Sequence, residues 1–87
     1  MEMILGRLKI DLGITTPLYD ERLLQYIESA EQMIKREGAT LSLDSEEDVQ
    51  LVVMFAAWMW RRRDTGEGMP RMLRYALNNR IFSEKMR

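Results

Sequence analysis

Positions 49–60 read Val49-Gln50-Leu51-Val52-Val53-Met54-Phe55-Ala56-Ala57-Trp58-Met59-Trp60 and are apolar with one exception. A bilayer-spanning helix needs about twenty apolar residues, so this shorter run belongs to the core of a folded domain. Before it, Asp44 or Ser45 can cap a helix, and acidic residues follow at the spacing of a capping box. After it come three arginines, 61–63, which suit the negative end of a helix. The stretch therefore predicts a helix over about 45–63.

The predicted helix is apolar on more than one side. One stripe, at steps of three and four residues, contains Val49, Val52, Val53, Ala56, Met59 and Trp60. Outside this stripe lie Leu51, Met54, Phe55 and Trp58. A helix that is apolar all round must be covered all round. The sequence thus predicts a long apolar central helix whose second face is covered either by another helix of the same chain or by another molecule.

Two further helices precede it. Helical spacing predicts one over about 2–12 and a strongly amphipathic one over about 17–37, each followed by a glycine suited to a left-handed cap. The second can begin with Thr16 as the cap and proline as the first residue, or later, with Asp20 as the cap.

The fourth helix is predicted over about 70–82, with Pro70 at its first position. Its apolar stripe contains Met72, Leu73, Ala76, Leu77 and Ile81. Its polar side contains Arg71, Arg74, Asn78 and Arg80. Residues 83–87 continue no stripe and are predicted to be a mobile tail. The expected fold is all-α: one domain over 1–87, a compact bundle of about four helices around the apolar central helix.

The composition lacks most of the residue types that enzyme active sites use. The chain has no histidine and no cysteine, which excludes the usual zinc sites and histidine-dependent triads. No phosphate-binding or dinucleotide-binding glycine motif is present. Glu28 and Glu31 share a helix face, but they have basic neighbours and no apolar pocket that raises a carboxyl pKa. We therefore predict no catalytic, cofactor-binding or metal-binding residues, no cofactor and no enzymatic activity. With no leader or membrane span recognised, we also expect an intracellular protein without membrane contact.

The charge is divided along the chain. Residues 1–60 carry five basic and eleven acidic side chains, a net −6, and residues 61–87 carry eight basic and three acidic ones, a net +5. Together these give the overall net charge of −1. Such polarity suits head-to-tail stacking of identical subunits. The equally favoured alternative is that basic residues simply prefer helix C-termini.

The arginines also suggest a nucleic-acid hypothesis. Arg61, Arg62 and Arg63, extended by Arg71, Arg74 and Arg80, are positioned to contact phosphates. Helices three and four further allow a helix-turn-helix with 70–82 as the recognition helix. Against this, the turn is longer than that motif favours and the chain as a whole is slightly acidic, with a pI near 5.4. DNA binding through Arg71 and Arg74 is therefore the second hypothesis.

Two stretches carry a resemblance to a known family. The first is Leu12-Gly13-Ile14-Thr15 followed by Tyr19-Asp20-Glu21-Arg22-Leu23-Leu24-Gln25-Tyr26-Ile27-Glu28-Ser29-Ala30. The second is Ala56-Ala57-Trp58-Met59-Trp60-Arg61-Arg62-Arg63, followed by Met69-Pro70-Arg71-Met72-Leu73. In these motifs and in the order of its helices, the chain resembles the small all-helical head–tail connector (adaptor) proteins of tailed bacteriophages.

The resemblance implies a structural role in a phage or prophage virion. Family members form a homo-oligomeric ring under the portal protein, extend the DNA channel without sequence-specific binding, and dock a tail-completion or stopper protein. They act at the head–tail interface after residing in the host cytoplasm. On this basis we predict a subunit interface at Leu51, Phe55, Trp58, Arg61 and Arg62. We predict portal docking through Phe82, Ser83, Lys85 and Arg87.

Overall fold

The computed structural model describes residues 2–86 and is helical throughout its regular structure. Its elements are α1 (Glu2–Leu12), a 3₁₀ turn (Pro17–Tyr19), α2 (Asp20–Arg36), α3 (Glu46–Thr65) and α4 (Arg71–Lys85). The predicted all-α class, with four helices in a compact fold, is confirmed. Within the described range no helix is both long and apolar enough to cross a bilayer.

The hydrophobic core forms around α3, which packs against each of the other three helices. Side chains that are fully excluded from solvent come from every helix and include Leu8, Leu23, Ile27, Ala30, Ile34, Val52, Ala56 and Leu77. Burial of each large side chain of this kind contributes roughly 1.5–3 kcal/mol, which is the main source of stability in a chain without disulfides. Among the helices, α4 packs chiefly against α3.

Both ends of α3 are capped by local chemistry. Ser45 is the N-cap, and its hydroxyl accepts a hydrogen bond from the backbone N–H of Asp48 at 3.4 Å. At the other end, Gly66 adopts the left-handed conformation (φ +66°) and donates its N–H to the carbonyl of Arg62 at 2.7 Å. Glycine is the residue that enters this conformation at least cost. The helix consequently extends to Thr65, two residues past the predicted end.

The α2 helix begins near the later of the two predicted starts, but Asp20 is its first residue and not its cap, which is Tyr19. Thr16 accepts a hydrogen bond from the N–H of Leu18 at 3.2 Å, but this caps only the 3₁₀ turn that Pro17 opens. The α-helix itself begins at Asp20. Asp20 forms an ion pair of 2.7 Å with Lys9, which ties the start of α2 to α1.

The end of α4 differs from the prediction. The helix continues to Lys85, so residues 83–85 are helical and do not form part of an irregular tail. A salt bridge of 2.9 Å between Arg80 and Glu84, one turn apart, stabilises this last part of the helix. Arg87, which the sequence places in the tail, lies outside the described residues.

Two residues of α4 also point in unexpected directions. Met72, predicted in the apolar stripe, lies on the solvent side. Arg80, predicted on the polar side, is buried. Arg80 turns inward because Asp48 of α3 accepts its Nε–H at 2.6 Å, and because the carbonyl of Thr40 accepts a further hydrogen bond from its guanidinium. The inner face of α4 therefore consists of Leu73, Leu77 and Arg80.

Candidate interaction surfaces

The predicted interface residues of α3 lie inside the subunit. Leu51, Phe55 and Trp58 are 3%, 2% and 7% exposed. The rings of Phe55 and Trp58 meet edge to face, with centroids 5.5 Å apart. The indole N–H of Trp58 donates to the carbonyls of Gly68 (3.1 Å) and Glu67 (3.3 Å), so the connection between α3 and α4 closes over the ring. The chain itself covers the second face of α3.

This burial removes one argument for self-assembly. The sequence allowed two ways of covering Leu51, Phe55 and Trp58, and the structure has the one that requires no second molecule. The expectation that a neighbouring copy must shield these side chains therefore loses its basis. Any surface for a partner has to be sought among the exposed residues.

The arginines after the apolar run are exposed at the C-terminal end of α3. Arg61 contacts Asp11 of α1, with Nη2 and Oδ2 3.5 Å apart. The guanidinium of Arg62 lies 4.8 Å from the ring centre of Trp58, and that of Arg63 lies 3.7 Å from the ring centre of Trp60. These cation–π contacts hold both guanidinium groups in place, and each contributes about 0.5–1 kcal/mol at an exposed site.

The solvent side of α4 carries an exposed apolar stripe, which we call the α4 outer face. It consists of Met72, Tyr75, Phe82 and Met86, which are 77%, 58%, 64% and 71% exposed. Their spacing of three, seven and four residues places them on one side of the helix, away from Leu73 and Leu77. Exposed large apolar side chains grouped on one side of a helix are typical of surfaces that bind partners.

The α4 outer face is bordered by basic side chains. Arg71, Arg74 and Lys85 are exposed, and the ion pairs that the structure describes involve none of them. The acidic residue of this helix, Glu84, pairs with Arg80 on the inner side. The outer side of α4 thus combines apolar side chains with uncompensated positive charge. It includes three of the four predicted portal-docking residues, Phe82, Ser83 and Lys85.

A second surface lies between α2 and α3. Two adjoining cavities, of about 270 and 260 Å³, share Tyr26 and Met59 and so form one groove. We call it the basic–aromatic groove; its lining includes Arg22, Gln25, Tyr26, Ser29, Met33, Trp58, Met59, Arg62 and Arg63. Its charged side chains are all arginines. A third cavity, of about 290 Å³, lies between α3 and α4 beside Leu51, Met54 and Ala76.

The buried charges serve the fold. Asp48 and Arg80 are the buried charged residues of the described core, and they bond to each other. The hydrogen bond from Arg80 to Asp48, followed by that to Glu84, raises the pKa of Arg80 above its ordinary value, so the guanidinium stays charged. Across residues 2–86, no group of three acidic, histidine or cysteine side chains is arranged to hold a metal ion.

The chain was compared with protein-family models, with curated proteins and with solved structures, and no match was found in any of the three.

Sequence reasoning identified Phe82 but missed the rest of the α4 outer face, and it missed the buried ion pair. Met72, Tyr75, Phe82 and Met86 repeat at helical spacing, and that spacing was the available signal. Met72 was instead grouped with Leu73, its neighbour in sequence, because both are apolar. The role of Asp48 had no local signal, since its partner lies 32 residues away in sequence.

Proposed function

We propose that the protein is a structural head–tail connector subunit of a tailed bacteriophage or prophage. In this proposal it forms a homo-oligomeric ring under the portal, extends the DNA channel and docks a tail-completion or stopper protein. It acts in the virion at the head–tail interface after residing in the host cytoplasm. The proposal joins the sequence resemblance to one structural observation, which is the α4 outer face.

The α4 outer face supports the proposal because it is a preformed surface for a protein partner. Four large side chains, Met72, Tyr75, Phe82 and Met86, stand on one side of a helix and have no covering element among the described residues. An amphipathic helix that presents apolar anchors at such spacing fits a hydrophobic groove on another protein. The partner groove has an apolar floor and an acidic rim, to complement Arg71, Arg74 and Lys85. We assign that groove to the portal.

Within this ring, α3 acts as the rigid centre of each subunit. Its apolar part, residues 49–60, is the long central helix of the proposal, and the exposed charges at its two ends, Glu46, Glu47 and the arginines 61–63, lie outside the core. A ring is built from a heterologous interface, in which two different patches of the same subunit meet. The opposite charges of the two parts of the chain, −6 and +5, favour such an arrangement.

The proposal is tested by co-assembly with the portal oligomer of the phage or prophage that encodes the chain. Electron microscopy of the mixture is expected to show an additional ring at the end of the portal. The double variant Tyr75→Ser, Phe82→Ser is expected to lose this ring. The control Leu18→Ser, which changes an exposed apolar residue outside α4, is expected to keep it. Absence of the ring with wild-type protein and pure portal overturns the proposal.

A second candidate function is DNA binding through α4. The observation that favours it is the absence of described ion pairs at Arg71, Arg74 and Lys85, which share a side of the helix with the amide of Asn78. A duplex bound here loses affinity as salt rises, because phosphate contacts release counterions. The variant Arg71→Ala, Arg74→Ala is then expected to weaken binding and to reduce the salt dependence, whereas Arg36→Ala, on α2, is not.

A further inference from the structure

The end of the connection between α2 and α3, together with the first two residues of α3, carries exposed acidic side chains; we call this segment the acidic loop (residues 42–47). It reads Ser42-Leu43-Asp44-Ser45-Glu46-Glu47 and presents the exposed side chains of Leu43, Asp44 and Glu47. Glu46 is paired with Arg7 of α1, whereas the described ion pairs leave Asp44 and Glu47 without a basic partner. The acidic loop therefore combines one exposed apolar side chain with two carboxylates that have no basic partner among the described ion pairs.

The acidic loop is held in shape before any partner arrives. The N–H of Ser42 donates to Asp48 at 2.8 Å, and the N–H of Ser45 donates to the carbonyl of Ser42 at 3.0 Å. Asp48 is itself fixed by Arg80 in the core. A segment that is already ordered loses little conformational entropy on binding, which favours its use as a recognition element.

The basic–aromatic groove has complementary chemistry. Its apolar lining is adaptable, since Met33 and Met59 are flexible side chains that adjust to an inserted group. At its edges lie Arg22 and Arg62, for which the structure describes no carboxylate partner. Arg62 is held against the ring of Trp58, so its guanidinium is positioned to receive a carboxylate.

The two surfaces cannot meet within one subunit. The acidic loop leads into the first turn of α3, and Arg62 lies in its last turn. At a rise of about 1.5 Å per residue, the fifteen positions from Glu47 to Arg62 separate them by roughly 22 Å. Complementary surfaces at opposite ends of a rigid helix can combine only between molecules, and the contact then repeats from copy to copy.

We propose that the acidic loop of one copy docks in the basic–aromatic groove of a second copy, with Leu43 between the methionines and Asp44 and Glu47 against Arg22 and Arg62. This inference rests on the self-assembly in the proposed function, and it names the two surfaces that form the interface. The contact is heterologous, so it closes into a ring or continues as an open chain according to the rotation between copies.

A second copy fits the groove better than a nucleic acid does. The apolar part of the lining suits an aliphatic tip such as Leu43, whereas a phosphate backbone offers nothing to bury there. The chain also supplies its own acidic counterpart at equal concentration. Displacement of the contact by DNA is nevertheless one outcome of the test.

The test uses site-directed thiol cross-linking. Because the chain has no cysteine, only the introduced thiols can react. One copy carries Leu43→Cys and a second, differently tagged copy carries Gln25→Cys, an exposed position in the lining of the groove. A short bismaleimide is expected to link the two tags. The matched control is Gln32→Cys, also exposed on α2 but outside the lining, and is expected to give little product. All three positions are exposed, and circular dichroism checks that each variant is folded.

Charge reversal separates specific docking from random collision. Asp44→Lys with Glu47→Lys is expected to reduce the yield about tenfold or more, since like charges that face each other across an interface repel. Adding Arg22→Glu and Arg62→Glu to the other copy is expected to restore it. Three outcomes overturn the inference. The first is an equal yield at Gln25→Cys and Gln32→Cys. The others are no product from Leu43→Cys with Gln25→Cys at any concentration, and no recovery of the yield when the charges are reversed on both copies. A DNA duplex is added in a further arm of the test. If the duplex abolishes the cross-linked product and binds the protein only when Arg62 is present, the groove binds nucleic acid and the inference is overturned.

The outcome is independent of the portal experiment. If the protein forms a ring on the portal but cross-links equally at Gln25→Cys and Gln32→Cys, this interface is wrong and the proposed function is unaffected. A chain that gives the groove-specific product but ignores the portal supports this interface and refutes the proposed function.

Discussion

Asp48 and Arg80, 32 residues apart, form a buried ion pair in which the Nε–H of Arg80 donates to Oδ1 of Asp48 at 2.6 Å. The same guanidinium binds the carbonyl of Thr40 and pairs with Glu84, while Asp48 accepts the N–H of Ser42. One pair of side chains thus joins α3, α4 and the connection that precedes α3. It fixes the position of α4, and with it the α4 outer face.

Removal of one partner of this pair is expected to destabilise the protein strongly. Arg80→Met leaves the carboxylate of Asp48 buried without its counter-charge, which costs about 3–5 kcal/mol. That is a large share of the 5–15 kcal/mol by which small domains are usually stable. Urea unfolding followed by tryptophan fluorescence measures the change.

Two variants control this measurement. Arg74→Met removes an exposed charge of the same helix and is expected to change the free energy of unfolding by no more than about 0.5 kcal/mol. Asp48→Leu combined with Arg80→Met removes both charges and is expected to recover part of the loss. If Arg80→Met proves no more destabilising than Arg74→Met, the ion pair is not the connection that holds α4.

Local patterns were sufficient to predict the helices. Ser45, an acidic first turn and the apolar run after it specify α3, and Gly13 and Gly38 mark the ends of its predecessors. These signals depend on residues within one or two turns of each other. Of the two predicted starts of α2, the earlier one is wrong because Thr16 caps a 3₁₀ turn. A 3₁₀ turn differs from an α-helix in closing its hydrogen bonds one residue sooner, and the sequence does not distinguish the two.

The packing between helices was harder to predict. Whether Leu51, Phe55 and Trp58 are covered depends on how closely α4 and residues 67–68 approach α3, which no local pattern encodes. The inward turn of Arg80 likewise depends on a partner far away in sequence. The outer side of α4 was therefore only partly predictable: Phe82, Ser83 and Lys85 are among the predicted docking residues, while Met72 and Tyr75 are not.

The response to acid is expected to depend on the ion pair between Arg7 and Glu46. The hydrogen bond from Arg7 lowers the pKa of Glu46 below its ordinary value of 4.5. A carboxyl with a lowered pKa in the folded state contributes stability above its unfolded value, and the contribution is lost as the pH falls through the lowered pKa. The pH dependence is opposite for Arg80. Because its pKa is raised in the folded state, its contribution to stability is complete until the pH exceeds the ordinary pKa of arginine.

We therefore expect Glu46→Gln to show a smaller drop in Tm between pH 7 and pH 3 than the wild type, in thermal melts by circular dichroism. Glu21→Gln, which changes an exposed carboxylate without a described ion pair, should behave as the wild type does. An identical acid response in all three proteins would show that the contact with Arg7 does not affect stability.

The hydrogen bonds of Trp58 are expected to hold the connection between α3 and α4. Trp58→Phe keeps a ring in the core but removes the indole N–H that binds the carbonyls of Glu67 and Gly68. The lost hydrogen bond and the smaller ring together should cost about 1–3 kcal/mol. Limited proteolysis should then cut faster within residues 66–70. Arg62→Ala, which removes only the cation–π contact, should cost about 0.5–1 kcal/mol.

The two sides of α4 are expected to respond oppositely to substitution. Phe82→Ser changes a side chain that is exposed in the monomer, so the free energy of unfolding should change by no more than about 0.5 kcal/mol while binding to the portal is lost. Leu77→Ala creates a cavity in the core and should cost about 2–5 kcal/mol in unfolding experiments, but it leaves the outer face chemically unchanged. At a temperature where both variants are folded, Leu77→Ala should therefore still bind. If Phe82→Ser is destabilised as much as Leu77→Ala, the phenylalanine supports the fold and its exposure does not mark a docking surface.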